Sequence, residues 1–251
     1  MINRLFISDL HLCAERPEIT RLFLHFLSDF AVKAQELYIL GDLFEAWLGD
    51  DTEDELSNNI VSALRQLSNQ GTAIAFMHGN RDFLLGSRFA KLTGCTLIND
   101  PTLIHIDNIP VLLSHGDQLC IDDVDYQAFR KQVRNPMFQE AFLSLPMQER
   151  INQARGYREL SKQSTEMKTE DIMDVNSEAV DQIMGQYQAQ HLIHGHTHRP
   201  AIHQLSAPQS QRLVLGDWGT NGSVLIHNNK IGFQLHWFSQ DTLPTLDQLL
   251  A

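Results

Sequence analysis

Pairs of metal-binding residue types separated by one position are the clearest chemical feature of this sequence. Asp9 and His11 form one pair, and His196 and His198 form another. Residues i and i+2 of an extended chain point to the same side, so Asp9 and His11 can bind one ion, and His196 and His198 have the same spacing. Three further clusters lie between the pairs: Gly41-Asp42, Gly79-Asn80-Arg81-Asp82 and His115-Gly116-Asp117. Oxygen and imidazole donors without thiols suit Mn²⁺, Fe or Zn²⁺ and differ from a structural zinc site.

Each cluster alone has an ordinary explanation. An isolated Asp-x-His is usually a surface accident, and a buried histidine such as His115 is more often held by a hydrogen bond. Five clusters in order, each after an apolar run, point instead to a shared site. Two divalent ions would bring four positive charges, of which Asp9 and Asp42 offset two. The remaining charge would be balanced by a hydroxide and a phosphate oxygen, so the site is predicted to hold a phosphoryl group.

The elements that position these clusters are short apolar runs, which are predicted to be buried strands. The runs occupy residues 5–7, 37–40, 73–76, 111–113, 192–193 and 213–215. Helical spacing of apolar residues over 19–32 and 56–67 separates the first three runs. Alternation of strand and helix predicts an α/β fold, with the clusters at the C-terminal ends of the strands, where such sheets bind ligands.

One domain spanning 1–251 is predicted, with a helical insertion at about 125–190 that covers the site as a cap. Helices are expected near 126–129, 138–145 and 173–187. Residues 126–168 contain eight basic and four acidic residues, which suggests a local anionic partner, although a solvated helical face is the commoner meaning. Phe138, Phe142 and Leu145 share one helix face. This face would contact lipid, or it would pack on the domain body.

The overall composition is that of an ordinary globular protein, with a net charge of −12 that disfavours general nucleic-acid binding. Three cysteines, without metal-type spacing, indicate a reduced, cytoplasmic protein. The first residues do not form a secretory signal, and no run reaches the roughly 18 apolar residues of a membrane span.

In this order, the five clusters resemble the motifs of the calcineurin-like metallophosphoesterase superfamily over nearly the whole chain. Longer strings at 38–47, 78–84, 172–176 and 192–199 resemble a narrower family, the UDP-2,3-diacylglucosamine hydrolases. The resemblance implies a layered α/β/β/α sandwich with a helical cap. It also implies hydrolysis of UDP-2,3-diacylglucosamine to 2,3-diacylglucosamine 1-phosphate (lipid X) and UMP in lipid A biosynthesis, by attack of metal hydroxide on the α-phosphorus. The enzyme would lie peripherally on the cytoplasmic face of the inner membrane.

The resemblance further implies two divalent ions, most readily Mn²⁺, and assigns roles by motif. One ion would be held by Asp9, His11, Asp42 and His198, and the other by Asp42, Asn80, His115 and His196. The catalytic residues would be Asp42, Asn80, Arg81, His115 and His196. The substrate contacts would be Asn80, Arg81, Asp123, Ser161, Thr165, Lys168 and His196. Thr165 departs from the family pattern, in which Asn is more frequent.

Arg81 indicates the type of bond that is cleaved. Many phosphatases of this superfamily have histidine at that position, a candidate acid for an alcohol leaving group. Arginine does not donate a proton near pH 7 but binds phosphate oxygens with two hydrogen bonds. A pyrophosphate, which releases a phosphate monoester, is therefore the favoured substrate. The alternatives are a soluble nucleotide phosphodiesterase, which would not depend on acyl chains, and a non-catalytic scaffold, which would be expected to lack ligands.

Overall fold

The six apolar runs form strands in two β-sheets. The computed structural model describes residues 2–166 and 174–239, without the side chains of residues 160–166. The first sheet has the order β11-β10-β1-β2-β3-β4. Its strands are β1 (Ile2–Ile7), β2 (Ala34–Leu40), β3 (Ala73–Met77), β4 (Thr96–Ile98), β10 (Gly222–Asn228) and β11 (Gly232–Phe238). Strands β1 to β4 run parallel, so their C-terminal ends meet at one edge.

The second sheet has five strands in the order β5-β6-β7-β9-β8. They are β5 (Thr102–Ile106), β6 (Ile109–Ser114), β7 (His191–His194), β8 (Ala201–Gln204) and β9 (Gln211–Val214). Strands β6, β7 and β9 are parallel, and β5 and β8 are antiparallel edge strands. Strands β6 and β7 therefore also direct their following loops to one edge.

The two sheets pack face to face through a buried apolar layer. Phe6 and Leu40 of the first sheet join Leu113 and Ile193 of the second in one core cluster. Successive residues of a strand point to opposite faces, so Ile7 lies in a different cluster on the outer side of the first sheet. This alternation lets continuous apolar strands bury both of their faces.

Helices cover both outer faces, which confirms the α/β/β/α sandwich. Helices α1 (Pro17–Asp29), α2 (Glu55–Asn69) and α3 (Ser87–Thr93) contribute to the cluster on the first sheet. Helix α7 (Ser177–Tyr187) packs on the second sheet through Val180 and Met184. Helix α7 was expected within the cap, and its place in the outer layer differs from that expectation.

The cap itself consists of α4 (Val124–Val133), α5 (Pro136–Leu143) and α6 (Met147–Glu166). Helix α6 was not predicted, because its sequence is polar around most of its circumference and lacks an apolar stripe. Phe142 is only 7% exposed and belongs to the main core, and Phe138 packs against it. Much of the face formed by Phe138, Phe142 and Leu145 therefore packs on the domain body, which was one of the two expectations. None of the described helices is both long and apolar enough to cross a membrane.

Several basic residues of the cap make internal contacts. The Arg150 guanidinium donates to both carboxylate oxygens of Asp51, at 2.6 and 2.8 Å. Arg134 donates to the backbone carbonyl of Gly79 at 2.8 Å, and Arg130 pairs with Asp117 at 2.7 Å. The basic segment is therefore partly a set of links between the cap and the body, and only some of its charge faces solvent.

The core between the sheets should dominate the stability of the fold. Ile193 is fully buried there, whereas Ile202 on β8 is 40% exposed. We expect Ile193→Ala to lower the free energy of unfolding by about 2–5 kcal/mol, because it leaves a cavity between two sheets. The matched control Ile202→Ala should cost less than about 1 kcal/mol. Denaturant unfolding measures both values, and equal losses would contradict the proposed packing.

Candidate metal centre

Five loops carry the predicted ligands to one edge of the sandwich, each directly after β1, β2, β3, β6 or β7. Backbone conformation at these loops is unusual. The φ angles of Asp9, His11, Asp42, His196 and His198 are 57°, 50°, 53°, 70° and 54°. This left-handed region is uncommon for residues other than glycine, and such strain is typical of functional sites. The paired residues therefore converge through left-handed turns beyond the strands, and the expected extended i, i+2 geometry is wrong.

One group of ligands surrounds Asp9. Its Oδ1 lies 3.5 Å from Nε2 of His198, and Nε2 of His198 lies 3.3 Å from Nε2 of His11. Nε2 of His11 is also 3.7 Å from Oδ2 of Asp42. The second oxygen of Asp9 accepts hydrogen bonds from the backbone N–H of His196 (2.9 Å) and from Ser8 Oγ (2.5 Å). These bonds fix the carboxylate and leave Oδ1 facing the histidines.

A second group lies on the other side of Asp42. Oδ1 of Asp42 is 3.8 Å from Nε2 of His115. Oδ1 of Asn80 lies 2.9 Å from Nε2 of His115 and 2.9 Å from Nδ1 of His196. Nδ1 of His115 lies 2.8 Å from the carbonyl of Leu40, which accepts the Nδ1 proton. When the ring is neutral, Nε2 of His115 therefore carries the lone pair and can bind a metal ion.

The electrostatics show how strongly these groups interact in a buried setting. Burial raises the pKa of Asp9, but His198, His115 and His11 outweigh burial and lower this pKa to well below its usual range. Burial lowers the pKa of His115, but Asp42, Asp117 and Asp9 outweigh burial and raise it to about 9. Burial and the nearby His115 lower the pKa of His196 to about 4. The carboxylates therefore attract positive charge into the site.

The donors present fit two divalent ions. Asp9, His11 and His198 offer ligand atoms within 4.8 Å of one another, and so do Asp9, Asp42 and His115. Among the described residues, the buried Oδ1 of Asp9 has no hydrogen-bond partner, which leaves it available as a ligand. The two oxygens of Asp42 face different histidines, the geometry of a bridging carboxylate.

Close backbone approach holds the central aspartate. Gly79 lies against Asp42, and a Cβ at this position would overlap with Asp42 Oδ1 and its backbone N. Asp82 accepts from the backbone N–H groups of Gly79 and Leu43, both at 2.8 Å, and so joins the two loops. Burial and Asp42 raise the pKa of Asp82 to about 7. Through these two hydrogen bonds, Asp82 links the loop after β3 to the loop after β2.

Glu45 is a site residue that sequence reasoning missed. Its Oε2 lies 3.1 Å from Nδ1 of His11, and its Oε1 lies 3.9 Å from Nη1 of Arg81. The Arg81 backbone N–H donates to Asp42 Oδ1 at 2.8 Å. The only sequence signal for Glu45 was its position three residues after Asp42.

Tyr126 and Arg130 of α4 were also missed. The Tyr126 hydroxyl donates to Asp117 at 2.6 Å, and its ring stacks on His196 with centroids 5.9 Å apart. Arg130 Nε donates to the same oxygen of Asp117 at 2.7 Å. Asp117 therefore anchors the cap beside the ligands.

A cleft that is open to solvent adjoins the ligands. Asn80 and Arg81 line it on the side of the ligands. Its remaining lining is largely apolar and comes from the body and all three cap helices. Phe129 of α4 packs on Tyr157 of α6 with ring centroids 5.5 Å apart, which closes one wall.

Of the other predicted substrate contacts, the structure describes the side chain of Asp123. The Asp123 carboxylate accepts from the backbone N–H of Tyr126 at 3.1 Å and caps α4. The side chains of Ser161 and Thr165, and Lys168 altogether, lie outside the described residues.

Replacement of Gly79 tests the close approach to Asp42. We expect Gly79→Ala to weaken Mn²⁺ binding on the order of 10–100-fold, because the added methyl displaces a ligand. The control Gly185→Ala, where an added Cβ meets nothing within 4 Å, should bind Mn²⁺ like the parent and gain up to about 1 kcal/mol in stability. Isothermal titration calorimetry gives the affinities, and unchanged binding by Gly79→Ala would contradict the geometry.

Comparisons with known proteins identify the family of this chain. The sequence model of the calcineurin-like phosphoesterases matches residues 2–200. A UDP-2,3-diacylglucosamine hydrolase of Ectopseudomonas mendocina is 50% identical over 223 residues, covering 88% of this chain and 92% of that protein. One from Escherichia coli O7:K1 is 51% identical, covering 88% and 93%. The structure of an archaeal phosphodiesterase, 11% identical, superposes with a TM-score of 0.50 over 94% of this chain and 99% of that one, and shares the fold. The chain therefore belongs to the calcineurin-like phosphoesterase family and groups with the relatives named UDP-2,3-diacylglucosamine hydrolase.

Proposed function

We propose that this protein is a metal-dependent hydrolase that cleaves the pyrophosphate bond of UDP-2,3-diacylglucosamine in lipid A biosynthesis. The products are 2,3-diacylglucosamine 1-phosphate and UMP. Relatives that are half identical over about nine-tenths of the chain carry the name of this activity. The observation that carries the proposal is the junction of the ligand cluster with an apolar cleft, since Asn80 and Arg81 border both. A substrate with a diphosphate joined to acyl chains matches that junction.

The ions are assigned to the two groups of donors. Asp9, His11, Asp42 and His198 hold one ion, and Asp42, Asn80, His115 and His196 hold the other. Two bound divalent ions lower the pKa of water and stabilise negative charge on phosphoryl oxygens. Mn²⁺ is our assignment from the family resemblance, and a donor set of oxygen atoms and imidazoles without a thiolate is compatible with it.

Arg81 binds and orients the diphosphate. Its Nε is buried and has no hydrogen-bond partner in the described structure, so it is available to a phosphate oxygen. Water adds to the α-phosphorus, and the bond from that phosphorus to the bridging oxygen breaks. The leaving group is the sugar 1-phosphate, which needs little protonation, so an arginine can replace a general acid here. Asn80, His115 and His196 would act on the reacting phosphoryl group through the ion that they hold.

The acyl chains occupy the cleft under the cap. Each buried methylene contributes about 0.8 kcal/mol to binding, so even a few methylenes against Phe129 and Phe138 add substantial affinity. A lipid substrate also brings the protein to the cytoplasmic face of the inner membrane as a peripheral protein. Met137 is 80% exposed on α5, and Lys131 is exposed nearby in the sequence. A basic residue near an anionic leaflet contributes about 1 kcal/mol.

Two other functions receive less support. A non-catalytic scaffold has no need of the complete ligand set that the described loops bring together. A soluble nucleotide phosphodiesterase has no need of an apolar cleft beside the ligands. Dependence of the rate on acyl chains separates the latter from our proposal.

Hydrolysis of the nucleotide lipid in ¹⁸O-water tests the reaction directly. With Mn²⁺ present we expect one ¹⁸O atom in UMP and none in the lipid phosphate, and no turnover after chelation. Label in the lipid phosphate would reverse the assignment of the attacked phosphorus. Equal turnover with chelator present would exclude the metal-dependent mechanism.

Two adjacent residues of α5 test the acyl site. Phe138 lines the cleft, whereas Met137 is 80% exposed to solvent. We expect Phe138→Ser to raise KM for the diacylated substrate about tenfold, the equivalent of roughly 1.4 kcal/mol, and to leave KM for a deacylated analogue nearly unchanged. Met137→Ser should leave KM for both substrates in detergent solution unchanged. A thermal melt confirms folding. An equal rise of KM for both substrates would contradict the placement of the acyl chains in the cleft.

A further inference from the structure

Glu45 follows β2 and lies at the border between the ligand cluster and the cleft. We propose that Glu45 is a positioning residue, which holds the Nδ1 proton of His11 and so presents Nε2 of His11 to a metal ion. The inference rests on the proposed function, because that function supplies the metal site. It adds an acceptor for the Nδ1 proton of His11, which none of the predicted ligands provides.

The contact with His11 is specific. Oε2 of Glu45 lies 3.1 Å from Nδ1 of His11, at hydrogen-bond distance. This Nδ1 is buried and has no well-aligned hydrogen-bond partner among the described residues, so the Glu45 carboxylate at 3.1 Å is the acceptor that we assign to its proton. Nε2 of the same ring faces Nε2 of His198 at 3.3 Å and Oδ2 of Asp42 at 3.7 Å. With the proton on Nδ1, Nε2 keeps a lone pair directed at these ligand atoms.

Glu45 is itself held in position by the loop that carries His11. Its backbone N–H donates to the carbonyl of Leu12 at 3.1 Å. Arg16 donates to the carbonyl of His11 at 2.7 Å, and its same nitrogen lies 3.8 Å from Oε2 of Glu45. The carboxylate therefore has a fixed place relative to the imidazole.

Neighbouring arginines keep Glu45 an acceptor. Nη1 of Arg81 lies 3.9 Å from its Oε1, and Nη2 of Arg16 lies 3.8 Å from its Oε2. His115 obtains the same orientation from a backbone carbonyl, that of Leu40 at 2.8 Å. The two imidazoles are thus oriented by different means, and only that of His11 depends on a replaceable side chain.

Four variants separate the position of the acceptor from its charge. Glu45→Gln keeps an oxygen at the same reach without charge, Glu45→Asp keeps the charge but withdraws the oxygen, and Glu45→Ala removes both. Glu53→Ala is the control, because Glu53 is an exposed acid that pairs with Arg88. The full chain is stripped of metal, titrated with Mn²⁺ by calorimetry, and melted to confirm folding.

We expect Glu45→Ala and Glu45→Asp to weaken Mn²⁺ binding about 10–100-fold, and Glu45→Gln and Glu53→Ala to stay within a few-fold of the parent. Parental affinity in folded Glu45→Ala, or a Glu45→Gln variant as weak as Glu45→Ala, would overturn the inference. Because the readout is metal affinity, it is independent of the substrate. A protein that fails to cleave the nucleotide lipid but follows this order of affinities would lose the proposed function and keep the role of Glu45.

Discussion

A buried negative charge at Asp42 constrains most of this structure. The residue is 1% exposed, and an isolated buried carboxylate would be strongly unfavourable unless cations or donors face it. His11 lies on one side, His115 on the other, and the backbone N–H of Arg81 donates to it. Asp42 and these three neighbours come from four separate loops, so the strands must deliver their C-terminal ends to one edge. The two stacked sheets and their left-handed loop residues provide that convergence.

The cap is bound to the same loops as the ligands. Tyr126 and Arg130 both reach Asp117, two residues after His115, and Arg134 reaches the carbonyl of Gly79. A displacement of α4 would therefore act on the loops that carry ligands. The apolar cleft adjoins the candidate metal site, and the proposed function assigns the diphosphate of a lipid substrate to their junction and its acyl chains to the cleft beneath the cap.

The sequence predicted those features that leave a periodic or ordered pattern. Continuous apolar runs identified β1, β2, β3, β6, β7 and β9, because strands buried on both faces lack polar positions. Strands β5 and β11 were not predicted, because they contain polar residues and lie at sheet edges. The ligand residues were found through their order after strands, whereas Glu45 and Tyr126 were missed, because single loop or helix residues acquire their contacts only in three dimensions. The extended geometry assumed for Asp9 and His11 was wrong, since φ angles of 57° and 50° are not encoded by residue spacing.

The central claim is that Asp42 lies between two metal ions. Anomalous X-ray scattering from crystals equilibrated with Mn²⁺ tests it most directly, because the peaks locate the ions without assumptions about ligands. The account predicts two peaks about 3.5–4 Å apart that flank the Asp42 carboxylate. A single peak beside Asp9, His11 and His198, with no second ion, would contradict the account. Two peaks remote from Asp42 would also contradict it.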